Sequence, residues 1–186
     1  MAVWCWLAGG CGEGAGEAGP VGGGYPQDRA DAALGGLRDV ADERGWFIDR
    51  RGEIQLPPTQ DLIEPDVMIL RDADSLPDFE HERPLDHVLL VAEVISPSSI
   101  REDREVKPRA CAMAGIPLYV LVDRFTSPMT VSLFSKPSTT GYATVSTVTA
   151  GGKLDIPAPF DITLDTATLP QPRLGEGLVE VAEAAD

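Results

Sequence analysis

The sequence predicts an α/β protein in which helices flank a mixed central sheet, with a C-terminal antiparallel hairpin. Residues 88–95 and 117–123 are apolar runs of strand length, which is typical of strands covered on both faces. Residues 100–114 between them predict a helix, so the order strand, helix, strand indicates a right-handed crossover. Residues 129–136 and 141–149 alternate apolar and polar side chains around a turn, which predicts the hairpin.

Length and composition indicate one globular domain with two ends of different character. The chain has 186 residues, of which 43% are hydrophobic, and this is enough for a core. Residues 1–24 are rich in glycine and of low complexity, so we expect a disordered leader there. The folded domain is predicted over residues 25–170, and residues 171–186 are expected to form an acidic tail.

The N-terminus and the cysteines predict a cytoplasmic protein without a membrane partner. Residues 2–8 are apolar, but this run is far too short to span a bilayer, and no basic residue precedes it as in a signal peptide. The cysteines, Cys5, Cys11 and Cys111, form an odd set and lack the CxxC pairs of a zinc site. A reducing compartment is therefore expected.

The net charge restricts the choice of partner. The chain has 15 basic and 30 acidic residues, which gives a net charge of −15. So acidic a protein repels phosphate backbones at long range, and this counts against nucleic acid as a partner. A bound divalent cation would reverse the sign of the charge only locally. The sequence has no GxxxxGK[ST] loop, so an ATP-driven motor is not expected.

The segments on either side of the buried strands predict smaller elements. Apolar residues recur at helical spacing over residues 28–45, and Gly45 is a suitable end for this helix. Residues 46–48 and 53–56 are predicted as short strands. Residues 153–169 are expected to form a short extended tail after the hairpin.

One carboxylate stands inside the predicted central strand. Alternation of faces places Glu93 on the same side as Leu89, Val91 and Ile95. A lone ionised carboxylate in an apolar strand is unfavourable unless it is paired or binds a metal. One interpretation is therefore a structural glutamate that reaches solvent or an arginine, and the other is a metal ligand at the end of a central strand.

A metal ligand would need partners, and the sequence offers two candidates. Asp66 follows Pro65 and lies near the start of another short apolar run, so it is placed at the beginning of a strand. Lys107 lies in the predicted helix after residue 99. Ser99 and Glu102 fit a capping box for this helix, whereas Pro108 requires either a kink or a helix that begins only near residues 103–105.

Four motifs together resemble a known family. They are PDV at 65–67, EVISPS at 93–98, DREVK at 103–107 and AGIPLYVLVD at 114–123. This combination is similar to the Uma-two family of putative restriction endonucleases, which is placed in the PD-(D/E)xK nuclease superfamily, and the resemblance covers roughly residues 31–169. It implies a restriction-endonuclease-like core. It also implies that the substrate is nucleic acid, and DNA is expected.

The resemblance also implies the site residues and their roles. Asp66, Glu93 and Lys107 would be the catalytic residues of a metal-dependent endonuclease, and Asp66 and Glu93 would hold Mg²⁺ or Mn²⁺. In the wider superfamily the lysine stands two residues after the acid, where this chain has Ile95. Lys107 would then supply the amine from the following helix.

The chain departs from the family pattern before its first long helix. Family members carry a glutamate there in an ELxDG-like motif, whereas residues 20–25 of this chain read PVGGGY. This difference and the net charge favour a second hypothesis, a catalytically impaired nuclease fold that acts as a binding or accessory module.

The sequence leaves the role of Lys107 and the nature of the nucleic acid open. Lys107 is either catalytic or only paired on the helix surface with Asp103, four residues earlier. The sequence does not distinguish DNA from RNA, and it is compatible with a homodimer.

Overall fold

The computed structural model describes residues 35–50, 52–72 and 82–169. The helices are α1 (Gly35–Arg44) and α2 (Lys107–Met113), and a π-helical segment, Glu102–Val106, leads directly into α2. The strands are β1 (Phe47–Asp49), β2 (Ile54–Leu56), β3 (Asp61–Ile63), β4 (Val67–Leu70), β5 (Val88–Val94), β6 (Leu118–Asp123), β7 (Thr130–Ser138), β8 (Gly141–Thr149), β9 (Lys153–Ile156) and β10 (Ile162–Asp165). Short 3₁₀ helices span Leu85–His87 and Thr166–Thr168.

The central sheet has six strands in the order β1-β4-β5-β6-β7-β8. Only β5 and β6 pair in parallel, and the other neighbours are antiparallel. The parallel pair is connected through the π-helical segment and α2, as expected for a strand–helix–strand unit. The prediction of an α/β fold with a mixed sheet and a C-terminal hairpin, β7–β8, is therefore confirmed.

Both faces of the sheet are covered by apolar layers. On one face α1 and the β9–β10 pair pack against the sheet, with Leu37, Ala41 and Phe160 fully buried. On the other face α2 and β2 pack around Tyr119, and Cys111 and Ile54 lie in that layer. Since β5 lies between the two layers, a charged side chain on it must find its partner inside the protein.

The N-terminal part of the domain agrees with the sequence where it is described. Helix α1 ends at Arg44, and Gly45 follows with a φ of +66°, a left-handed conformation that favours glycine. The start of the predicted helix, the leader at 1–24 and the acidic tail at 171–186 lie outside the described residues. Within the described part of the chain, no helix is long and apolar enough to cross a membrane.

The expected alternation along β5 is wrong at Leu89. The pairing of β4 with β5 shifts register at the end of β4, so that Ile69 pairs with Leu90 and Leu70 with Val88. This bulge leaves Leu89 as an extra residue, and Leu89 joins the same core layer as Leu90 instead of the Glu93 face.

The start of the crossover helix also differs from expectation. The capping box is wrong, because no side chain caps the π-helical segment and the Ser99 hydroxyl donates to Asp103. Of the two alternatives for Pro108, the structure agrees with a late start: α2 begins at Lys107, somewhat later than residues 103–105, and Pro108 lies in its first turn. The backbone N–H of Lys107 donates to the Glu102 carbonyl, five residues back, and this wider turn leaves room for the proline ring.

Three further boundaries depend on tertiary packing. Strand β3, which pairs with β2, was not predicted. Strand β7 continues to Ser138, so the hairpin turn is shorter than the predicted 137–140. The expected extended tail is wrong, because β9 and β10 pair with each other and bury Leu154, Ile156 and Leu164 in the core.

Candidate active site

The strand register places Asp66 and Glu93 side by side. Val67 pairs with Ala92 across the antiparallel β4–β5 pair, so Asp66, just before β4, lies opposite Glu93. Each carboxylate accepts a hydrogen bond from a backbone N–H of the opposite strand segment. The Asp66 N–H donates to Glu93 Oε2 at 3.3 Å, and the Val94 N–H donates to Asp66 Oδ2 at 2.7 Å. The backbone of the two strands therefore fixes both carboxylates at one end of the sheet.

Lys107 reaches the same point from the first turn of α2. Its Nζ donates to Glu93 Oε1 at 2.7 Å and lies 2.8 Å from Asp103 Oδ1. The Lys107 side chain is 20% exposed, whereas those of Glu93 and Asp103 are each 2% exposed. The structure thus brings together all three site residues predicted from the sequence, while their chemical roles stay predictions.

The structure changes one of the two interpretations of Lys107, the pairing with Asp103. The pair with Asp103 exists, but it is buried and not on the helix surface, and the same ammonium also contacts Glu93. The expectation of a solvated pair is therefore wrong.

Burial controls the electrostatics of this cluster. Desolvation raises the pKa of the Glu93 carboxyl to about 8, and the opposing effect of Lys107 is smaller. Desolvation also acts to lower the pKa of Lys107, but its ion-pair contacts with the Glu93 and Asp103 carboxylates outweigh it and raise that pKa above its usual value. The cluster therefore keeps the Lys107 ammonium charged, whereas Glu93 binds a proton more readily than an exposed glutamate does.

Asp103 is the residue of this cluster whose role the sequence did not reveal. Its Oδ2 accepts a hydrogen bond from Ser99 Oγ, and the Ser99 hydroxyl lies 2.8 Å from that of Ser96. Tyr119, from β6, donates its hydroxyl to the Asp103 carbonyl at 3.0 Å. The spacing of four residues between Asp103 and Lys107 predicted that they pair. Burial of this pair depends on tertiary packing, which brings Tyr119 against Asp103.

A second ion pair holds the π-helical segment against the sheet. Arg104 donates from two nitrogens to the Asp123 carboxylate at the end of β6, at 2.7 Å and 3.0 Å. The Asp123 Oδ1 also accepts the Phe125 N–H at 2.9 Å. A two-point contact of this kind fixes orientation as well as distance, so it positions the turn from which Asp103 and Lys107 project.

A cavity of about 360 Å³ opens at this cluster. Side chains from both strand ends, the following turn and the helix form its wall: Asp66, Glu93, Val94, Ile95, Ser96, Pro97, Ser99, Asp103, Lys107 and Arg124. Asp66 is exposed at this wall, whereas Glu93 is buried behind it. The cavity can therefore admit a charged group from solvent directly to the two carboxylates.

The residues present fit a magnesium-type cation. No cluster of three or more His, Cys, Asp or Glu side chains suited to a metal occurs among the described residues. Mg²⁺, however, is commonly held by one or two carboxylates and completes its shell with water and substrate phosphate. Asp66 Oδ1 accepts no hydrogen bond from a described residue, and the buried Glu93 carboxyl group lies beside Asp66. Both supply the hard oxygen ligands that such an ion requires.

Comparison with known proteins agrees with the geometry. A family described as Uma2, putative restriction endonuclease, matches residues 20–167. The fold is similar to that of a crystal structure described as a putative nuclease belonging to DUF820 from Anabaena variabilis ATCC 29413, with a TM-score of 0.57 and 13% sequence identity over 79% of this chain and 80% of that chain. No curated protein matches the chain. Since the family match extends over most of the sequence, the chain belongs to the Uma2 family of putative restriction endonucleases.

Proposed function

We propose that the protein is a Mg²⁺- or Mn²⁺-dependent endonuclease that hydrolyses phosphodiester bonds of nucleic acid at this cavity. The observation that carries the proposal is the convergence of Asp66, Glu93 and Lys107 on one point, with Glu93 bonded to both partners. Two carboxylates would hold a divalent ion, and these ligands with one amine are a sensible minimum for phosphodiester hydrolysis. The family match supports the same reaction class.

Each residue has a distinct task in this proposal. Asp66 and Glu93 would hold the ion, and the ion would supply polarisation of the scissile phosphate and a lowered pKa of a bound water. Lys107 places a positive charge beside Glu93, where it would stabilise negative charge that develops on the phosphate. The backbone hydrogen bonds to both carboxylates restrict their motion, so little reorganisation is needed when substrate arrives.

Local positive charge must overcome the overall charge of −15. Lys107 and Arg124 are the basic residues in the cavity wall, and three acidic residues share that wall with them. The ion therefore has to offset the acids before a phosphate can approach. We infer that cleavage is sensitive to salt and is best observed at low ionic strength.

Single-turnover cleavage of plasmid DNA, single-stranded DNA and RNA, with Mg²⁺ or Mn²⁺ at low salt, tests the proposal. Wild type should cleave one of these substrates, with DNA expected. Lys107→Ala should lower the rate by about 10²-fold or more, the scale for one preorganised electrostatic contact. Asp66→Asn and Glu93→Gln should lose both cleavage and Mn²⁺ binding in calorimetric titration.

The control is Glu102→Gln, which removes a carboxylate from the same helical segment but is exposed and lies outside the cavity wall. It should leave cleavage unchanged. An inactive wild type would instead favour a binding or accessory module, a function that the net charge of −15 also suits. A fully active Lys107→Ala variant would remove Lys107 from the catalytic set. A cytoplasmic location and a homodimer remain predictions.

A further inference from the structure

The two carboxylate oxygens of the buried Asp103 side chain have different partners. Oδ2 is bonded by the Ser99 hydroxyl, which is itself fixed by contacts with Ser96. Oδ1 is buried and accepts no aligned hydrogen bond within the described part of the chain, although Lys107 Nζ is only 2.8 Å away. Asp103 is therefore immobilised through one oxygen, while the other lies in ion-pair contact with the Lys107 ammonium.

The same ammonium also contacts Glu93. Its aligned hydrogen bond runs to Glu93 Oε1 at 2.7 Å, although Asp103 Oδ1 is almost equally near. Because a lysine ammonium carries three donor hydrogens on a rotatable stem, a small rotation would give Asp103 the aligned bond. A buried acceptor without a hydrogen bond is unfavourable, so this rotation is favoured once Glu93 no longer competes.

We propose that Asp103 is a positioning residue, which receives the Lys107 ammonium when Glu93 turns to the metal ion. The inference rests on the proposed metal site. Without the ion, Lys107 serves as the cation for Glu93. When the ion binds, Lys107 transfers its aligned bond to Asp103 Oδ1, remains in the cavity and is aimed at the substrate phosphate.

The proposal has a consequence for metal affinity. If Asp103 is changed to Asn, the ammonium loses its second carboxylate and stays with Glu93, so the ion must displace a more strongly held competitor. Asn keeps the shape of the side chain and an oxygen that can accept from Ser99, so the local fold should be retained. Loss of such supporting partners commonly reduces metal affinity about 10- to 100-fold, and we expect a reduction of about 10-fold.

A double-mutant cycle separates this effect from simple loss of negative charge. Mn²⁺ binding is measured by calorimetry for wild type, Asp103→Asn, Lys107→Met and the double variant. Asp103→Asn should weaken binding by about 10-fold in the wild-type background and by less than about 2-fold in the Lys107→Met background. Lys107→Gln, which keeps a donor without the charge, replaces Lys107→Met if that variant does not fold. Glu102→Gln is the charge-matched control and should bind Mn²⁺ as wild type does.

Cleavage provides a second readout. Asp103→Asn should lower kcat more than it raises KM for substrate at saturating Mn²⁺, because Lys107 is misdirected while substrate binding remains. An equal loss of Mn²⁺ affinity in both Lys107 backgrounds would overturn the positioning role and make Asp103 a through-space contributor. Unchanged Mn²⁺ affinity in Asp103→Asn would also overturn it. A wild type that binds no Mn²⁺ would overturn the proposed metal site, and this inference with it.

Discussion

Removing the Lys107 ammonium should destabilise the metal-free protein far more than removing a surface lysine or arginine. In Lys107→Ala, Glu93 and Asp103 are left as neighbouring carboxylates, each 2% exposed, without the cation that now contacts both. Breaking a buried pair by deleting one partner typically costs about 3–5 kcal/mol. Lys107 itself is 20% exposed, so water can enter the space, and we expect the lower limit, about 3 kcal/mol. The melting temperature should then fall by roughly 6–12 °C.

The same helical segment provides a matched control. Arg101 and Glu105 also stand four residues apart, but their atoms are 3.9 Å apart and their side chains are 84% and 74% exposed. Such a pair contributes under about 1 kcal/mol, so Arg101→Ala should have little effect. Both variants are compared with wild type by urea unfolding in EDTA, followed by circular dichroism.

Metal should rescue part of the loss in Lys107→Ala, because a divalent ion replaces the missing positive charge. At a Mn²⁺ concentration of 100 times the dissociation constant, the gain in unfolding free energy should be about 2.7 kcal/mol. Equal losses of stability in Lys107→Ala and Arg101→Ala would refute the reasoning, since they would mean that the buried carboxylates do not depend on Lys107.

Two predictions concern positions outside the proposed chemistry. Gly52→Ala should destabilise the protein by about 1–3 kcal/mol in urea unfolding, because a Cβ there would collide with the Asp49 carboxylate. The control is Gly36→Ala, where the new Cβ would lie 3.6 Å from the nearest side-chain atom, and this change should be neutral or stabilising. Burial raises the pKa of the Cys111 thiol to about 12. In a protein lacking Cys5 and Cys11, the reaction of Cys111 with a disulfide reagent at pH 8 should therefore be at least about 100-fold slower in the folded state than in the unfolded state. Comparable rates would show that Cys111 is accessible.

The sequence predicted the elements that carry the site. A strand covered on both faces leaves a continuous apolar run, and Glu93 was visible as the interruption of that run. The hairpin and the helix that carries Lys107 were also predicted from apolar patterns, because strands and helices impose a local period on their apolar residues. The register that places Asp66 opposite Glu93 was not readable locally, but the motifs shared with the family implied that they meet.

Tertiary contacts decided what local patterns could not. The bulge at Leu89 arises from pairing with β4, and the burial of Phe160 arises from packing of the β9–β10 pair against the sheet. In both cases the contacting elements are separated in the sequence, so the local pattern of apolar residues does not predict the contact.

Asp103 illustrates the same division within the site. Taken locally, an aspartate four residues before a lysine is an ordinary surface pair. Tyr119, Ser99 and the buried end of β5 make it a buried carboxylate that shares the ammonium with Glu93. The sequence by itself determined which residues carry charge at the site. Only the tertiary structure decided which of those charges lose their water, because desolvation depends on residues brought together from distant parts of the chain.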